Sequence, residues 1–80
     1  MDKKNFLELN IRSRIFDYIK NFPGKHIREL SRDLNISKTT LAYQLNILEK
    51  RDLIFSDSKI TNLRYYPNEK ISRKNRKILH

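Results

Sequence analysis

The side chains best placed to do chemistry in this chain fall on one stretch, Ser37 to Lys50. Read as a helix at roughly 100° per residue, it gathers Leu41, Leu45 and Leu48 into an apolar stripe about 60° wide. The opposite side carries Thr39, Tyr43, Asn46 and Lys50, flanked by Lys38 and Ala42. That face offers cations, a hydroxyl, an amide and one aromatic ring, with no acid at its centre. Such a surface suits a polar, anionic partner. The plain alternative is an ordinary solvated helix face.

The elements around this stretch favour the first reading. Ile27 to Leu34 reads as a short helix with Ile27, Leu30 and Leu34 inward. Its Arg28 and Arg32 point outward at i, i+4, where phosphates can be met or where they pair with Glu29 and Asp33. Asn35 and Ile36 make the turn between the helices. Asn35 tolerates the left-handed conformation, and Ile36 points back toward the core. Ser37 is a good N-cap, able to accept from the N–H of Thr39 or Thr40.

Upstream, Ile11, Ile15, Tyr18, Ile19 and Phe22 recur at helical spacing and predict a helix over 11–22, with Asn10 as its N-cap. Pro23-Gly24 ends it, and Gly24, the only glycine, is free to take positive φ. Residues 1–10 form an extension whose Phe6, Leu7 and Leu9 either add a turn of helix or pack outside the domain. His26 caps the next helix with Glu29, or belongs to a very short strand.

Downstream, Leu53-Ile54-Phe55 and Leu63-Arg64-Tyr65-Tyr66 are β-prone runs, the second stopped by Pro67. They predict a hairpin over 53–66 with its tip near Ser58–Thr61. Period-two alternation buries Leu53 and Phe55 on one strand and Leu63 and Tyr65 on the other, while Lys59 and Arg64 project. Residues 68–80 are a basic tail or a last short helix with Ile71, Ile78 and Leu79 as its contacts. The fold class is therefore α+β and mainly α: three helices followed by a β-hairpin wing, a winged helix-turn-helix domain over 11–67.

Charge names the partner. The chain has 80 residues and a formal net charge of +9. Basic residues crowd its last quarter, where Lys59, Arg64, Lys70, Arg73, Lys74, Arg76 and Lys77 face Glu69 alone. So strong an excess favours nucleic acid or an anionic membrane surface. There is no apolar run near the ~20 residues a membrane helix needs and no signal-peptide pattern, so a cytoplasmic protein is the default. A helix-turn-helix with this charge points to double-stranded DNA.

The stretch GKHIRELSRDLNISKTTLAYQLNILEKRDLIF also resembles the core of archaeal and bacterial winged-helix transcriptional regulators of the ArsR/MarR-like group. The resemblance covers 11–67 and rests on REL in the second helix, LNIS at the turn, the Thr40–Leu41 and Tyr43–Leu45 spacing, ILEKRDLI, and the closing YYP. It implies DNA contact through Ser37, Lys38, Thr39, Thr40, Ala42, Tyr43 and Asn46. Two departures stand out. Asp52 occupies a position where that group usually has glycine, and the wing contains no glycine, which makes for a wider tip.

Taken together, helix 37–50 is expected to enter the major groove with the 53–66 hairpin as wing. The expected contacts are Arg28, Ser37, Lys38, Thr39, Thr40, Ala42, Tyr43, Asn46, Lys50, Lys59 and Arg64. No catalytic residues are expected, and no cofactor or metal. One glycine cannot build a phosphate-cradling loop, cysteine is absent, and His26 and His80 lie far apart. In 80 residues no separate ligand-binding domain is expected. Phe6, Leu7, Leu9 and Phe16 exceed what a small core requires, which points to a homodimer through the N-terminal segment. Two alternatives remain: a non-specific DNA- or RNA-binding architectural or replication factor, and a winged helix that binds protein.

Overall fold

The computed structural model describes residues 3–58 and 63–68. In chain order the elements are α1 (Lys3–Asn21), β1 (Lys25–His26), α2 (Ile27–Leu34), α3 (Lys38–Lys50), β2 (Ile54–Asp57) and β3 (Arg64–Pro67). The strands form one antiparallel sheet in the order β1-β3-β2. Helix α3 packs on both α1 and α2, and α1 also lies against β3. The core between them is Ile15, Ile19, Leu30, Leu34, Leu41, Leu45, Leu48, Ile54 and Tyr65.

Most of the expected inward residues take that role. Ile11, Tyr18, Ile27, Ile36 and Leu53 pack at the edge of the core. Four expectations need correcting. Helix α1 starts at Lys3, so Asn10 is a mid-helix residue and not a cap. Nothing in 3–10 breaks a helix, since the segment holds no proline or glycine, and Phe6, Leu7 and Leu9 continue α1. Phe22 lies just past the end of α1 and is half exposed, its ring 4.8 Å from that of Tyr18. Phe16, expected to be surplus to the core, is half-buried against it.

The fourth correction is the phase of the hairpin. Ile54, not Phe55, is buried, and Leu63 lies outside β3 and is half exposed. The register explains it. Directly opposed residues of an antiparallel pair share a face. Tyr65 is opposite Ser56, and Ile54 is opposite Pro67. Buried Tyr65 therefore brings Ile54 and Ser56 inward and sends Phe55 and Tyr66 to the outer face, where their rings stack 5.3 Å apart.

Glycine and left-handed residues set the joints. Gly24, at φ 91°, lets the chain turn into β1 beneath the ring of Tyr66. Helix α3 ends in a Schellman motif: Asp52 N–H bonds Glu49 O at 3.0 Å and Leu53 N–H bonds Leu48 O at 3.0 Å. Asp52 holds the left-handed position at φ 59°.

Candidate nucleic-acid interface

Helix α2 and the turn after it present α3 to solvent. His26 and Glu29 form a capping box at the start of α2, so His26 is both strand and cap, as its position allowed. Asn35 takes the left-handed conformation at φ 56° and ψ 48°, and its N–H reaches Ser31 O. Ile36 N–H bonds the same carbonyl at 3.2 Å, while the Ser31 hydroxyl donates to Ile36 O at 2.6 Å. From α1, Arg14 Nη2 donates to Leu34 O at 3.2 Å, covering a carbonyl at the end of α2. The turn is thus tied from both sides.

Ser37 caps α3, accepting from Thr40 N–H at 3.2 Å and lying 3.0 Å from the Thr40 hydroxyl. Both hydroxyls are engaged with each other first. Beyond the cap, Lys38, Thr39, Ala42, Tyr43, Asn46 and Lys50 are all exposed, and Tyr43 is 56% exposed despite its ring. Leu41, Gln44, Leu45 and Leu48 form the buried side. The single acid of α3, Glu49, is half-buried and turned to the sheet, where it accepts from the Ser56 hydroxyl at 3.4 Å. The outer face of α3 is therefore free of carboxylates.

The acids of α2 are likewise occupied locally. Glu29 lies 3.8 Å from Lys25 Nζ and 3.3 Å from His26 Nε2, and the His26 backbone N–H holds its carboxyl below the usual range. Asp33 accepts from the Tyr18 hydroxyl at 2.6 Å and from Arg32 Nε at 3.4 Å. Those bonds, the Tyr18 one foremost, lower its pKa in turn. Arg32 is thus the arginine that pairs with a neighbouring acid. Arg28, Lys38 and Lys50 join no ion pair among the described residues.

Arg64 is exposed, and its Cα stands opposite His26 at the entry to α2. One guanidinium nitrogen donates to Gly24 O at 2.8 Å, leaving its other donors outward. Lys59, the basic tail residues Arg73, Lys74, Arg76 and Lys77, and Ile71, Ile78 and Leu79 lie outside the described residues. Among the described residues, no three His, Asp or Glu side chains gather as a metal site, and no helix is long and apolar enough to cross a membrane.

Sequence reasoning overlooked Arg12 and Gln44. Gln44 is 1% exposed and accepts from Arg12 Nε at 2.7 Å. The signal was faint: Gln44 lies about 40° beyond Leu48 on the wheel, bordering the apolar stripe rather than opposing it, so a polar residue there belongs to the buried side.

Comparison with known proteins bears on the family and the fold. Residues 9–79 match the family described as the HVO_0163 N-terminal HTH domain. A relative in Methanocaldococcus jannaschii, the "Uncharacterized HTH-type transcriptional regulator MJ1398", is 43% identical over 67 residues. That match takes in 84% of this chain but only 17% of the relative's length. The crystal structure of the transcriptional regulator SlyA superposes with a TM-score of 0.69 at 21% identity, over 90% of this chain and 60% of that one. The last likeness is one of fold: three helices and a small antiparallel sheet in the winged helix-turn-helix arrangement.

Proposed function

The chain belongs to the HVO_0163 N-terminal HTH domain family, and from that premise we propose that it is the DNA-binding part of a transcriptional regulator which reads sequence through α3. The observation that carries this reading is the acid-free outer face of α3. Thirteen residues make a helix about 20 Å long, which fits a major groove about 12 Å wide. Thr39, Tyr43 and Asn46 face base edges, with Asn46 suited to adenine. Lys38, Lys50 and Arg28 meet phosphates, and Ser37 and Thr40 order the helix start at the groove. Arg64 and Lys59 of the wing serve a flanking phosphate or the minor groove, and the cations of 70–77 add attraction to any sequence.

The test is binding to duplexes selected from a random pool, set against unselected duplex, over a range of salt. Phosphate contact makes log K fall linearly with log salt, by about 10³-fold or more between ~50 and ~200 mM for ~6 contacts. Preference for selected duplex supports sequence reading. Equal affinity for all duplexes favours an architectural role, and binding indifferent to salt favours a protein partner.

A homodimer is part of the same reading. One winged helix reads few base pairs, and two half-sites about one turn apart supply the remaining specificity. Leu7 and Leu9 are 55% and 46% exposed on α1, beside Glu8, which offsets some of the repulsion between two strongly basic chains. Sedimentation equilibrium at micromolar concentration decides: a 9.7 kDa species unchanged by Leu9→Ala removes the dimer.

A further inference from the structure

Gln44 is the single buried polar side chain among the described residues. It shares the buried side of α3 with Leu41, Leu45 and Leu48. Its Oε1 takes a 2.7 Å bond from Nε–H of Arg12, a half-buried residue of α1. Arg12 joins none of the ion pairs among the described residues, so its guanidinium is held by a neutral amide. A polar pair inside an apolar interface adds little stability over well-packed hydrophobic residues. What it does add is direction.

The core around this pair is otherwise aliphatic on both helices, Ile15 and Ile19 on α1 and the three leucines on α3. Aliphatic surfaces resist rotation and sliding through shape alone. A hydrogen bond weakens steeply once distance or angle departs from its optimum. Gln44 is next to Tyr43 and two residues from Asn46 on one rigid helix, so any displacement at 44 reaches both.

We propose that Arg12 and Gln44 are positioning residues for base reading: their bond sets the rotation and axial register of α3 on α1, and with them the aim of Tyr43 and Asn46. This rests on the DNA-reading function proposed above. A base contact has the same narrow geometric tolerance as the bond behind it, so loss of register removes specificity before it removes affinity. Contacts to phosphate, governed by charge, tolerate the shift.

The experiment compares selected and unselected duplexes for wild type, Arg12→Lys, Gln44→Glu and the double variant Arg12→Met with Gln44→Leu. Arg12→Lys keeps the charge but lacks the Nε–H donor. It is expected to keep wild-type affinity and salt slope on unselected duplex while the specificity ratio falls about tenfold, the scale of one mismatched base pair. The double variant packs apolar against apolar, and its ratio should fall likewise with no loss of thermal stability. Gln44→Glu retains the acceptor and should retain the ratio. A ratio that holds in Arg12→Lys and in the double variant overturns the positioning role. So does a ratio that merely tracks melting temperature across the four proteins. A wild type without preference between duplexes overturns the DNA-reading function itself, and the positioning role with it.

Discussion

The Tyr18 hydroxyl donates to Asp33 Oδ2 at 2.6 Å, tying the last turn of α1 to the last turn of α2 across 15 positions of sequence. The bond raises the Tyr18 pKa and lowers that of Asp33. A carboxyl whose pKa is depressed on folding stabilises the fold above its unfolded pKa, about 4, and loses that contribution as pH falls through the native value. Tyr18→Phe removes the donor. Its destabilisation should therefore be full at neutral pH and shrink in acid. Urea midpoints of wild type and variant, taken at neutral pH and well below the carboxylate range, measure it. A gap that stays constant with pH would refute the coupling.

Asp52 sets a second expectation. It occupies the left-handed position of a Schellman motif, where glycine or asparagine is the usual residue, and it places a negative charge at the negative end of α3. Asp52→Asn removes the charge and should gain about 0.3–1 kcal/mol. Asp52→Gly relieves the steric cost of positive φ, and the added freedom of the unfolded chain takes back part of that gain. Both variants should melt above wild type, and Asp52→Val should melt below it. If Asp52→Val matched wild type, the strain at this position would be negligible.

The hairpin register yields a sharper contrast. Ile54 is 2% exposed and Phe55 is 47% exposed. Ile54→Ala should cost about 2–5 kcal/mol, the range for a buried aliphatic truncated to alanine. Phe55→Ala gives up a half-exposed ring and its stack on Tyr66, and should cost about 0.5–1.5 kcal/mol beyond the small area it buries. Chemical denaturation of the two variants ranks them directly. The reverse order would put the strand in the opposite phase.

These residues also show where the sequence was legible. The helix-turn-helix was plain because each joint carries its own chemistry: Asn35 for the left-handed turn, Ser37 for the cap, and leucines at helical spacing to mark the buried side. The outer face of α3 followed from the same wheel, since a residue opposite the leucines has nowhere to go but solvent. Leu53-Ile54-Phe55 was ambiguous because three consecutive apolar residues fit either phase of a strand. Only pairing with Tyr65, ten or more residues away and invisible to a local pattern, decides between them. The start of α1 was missed for a related reason. Asn10 resembles a cap in isolation, but the residues before it are compatible with helix, and a possible cap does not stop a helix that can continue. The inward turn of the Arg64 guanidinium to Gly24 O depends on β1 pairing with β3, a contact between chain segments 40 residues apart.

The last prediction separates reading from attraction on α3. Asn46 and Lys50 lie four residues apart on the exposed face, both free of acidic neighbours on that side. An amide gives a bidentate bond to adenine, specific to that base and absent from others. An ammonium gives a point charge to a phosphate, the same at every sequence. Asn46→Ala should therefore cost about 1–3 kcal/mol on selected duplex and little on unselected duplex, with the salt slope unchanged. Lys50→Ala should weaken both duplexes by the same factor and reduce the slope by about one. Filter-binding or fluorescence titrations of the two variants at several salt concentrations distinguish these patterns. If Asn46→Ala weakened both duplexes alike, its amide would be holding the backbone, and base reading would have to come from Thr39 and Tyr43 alone.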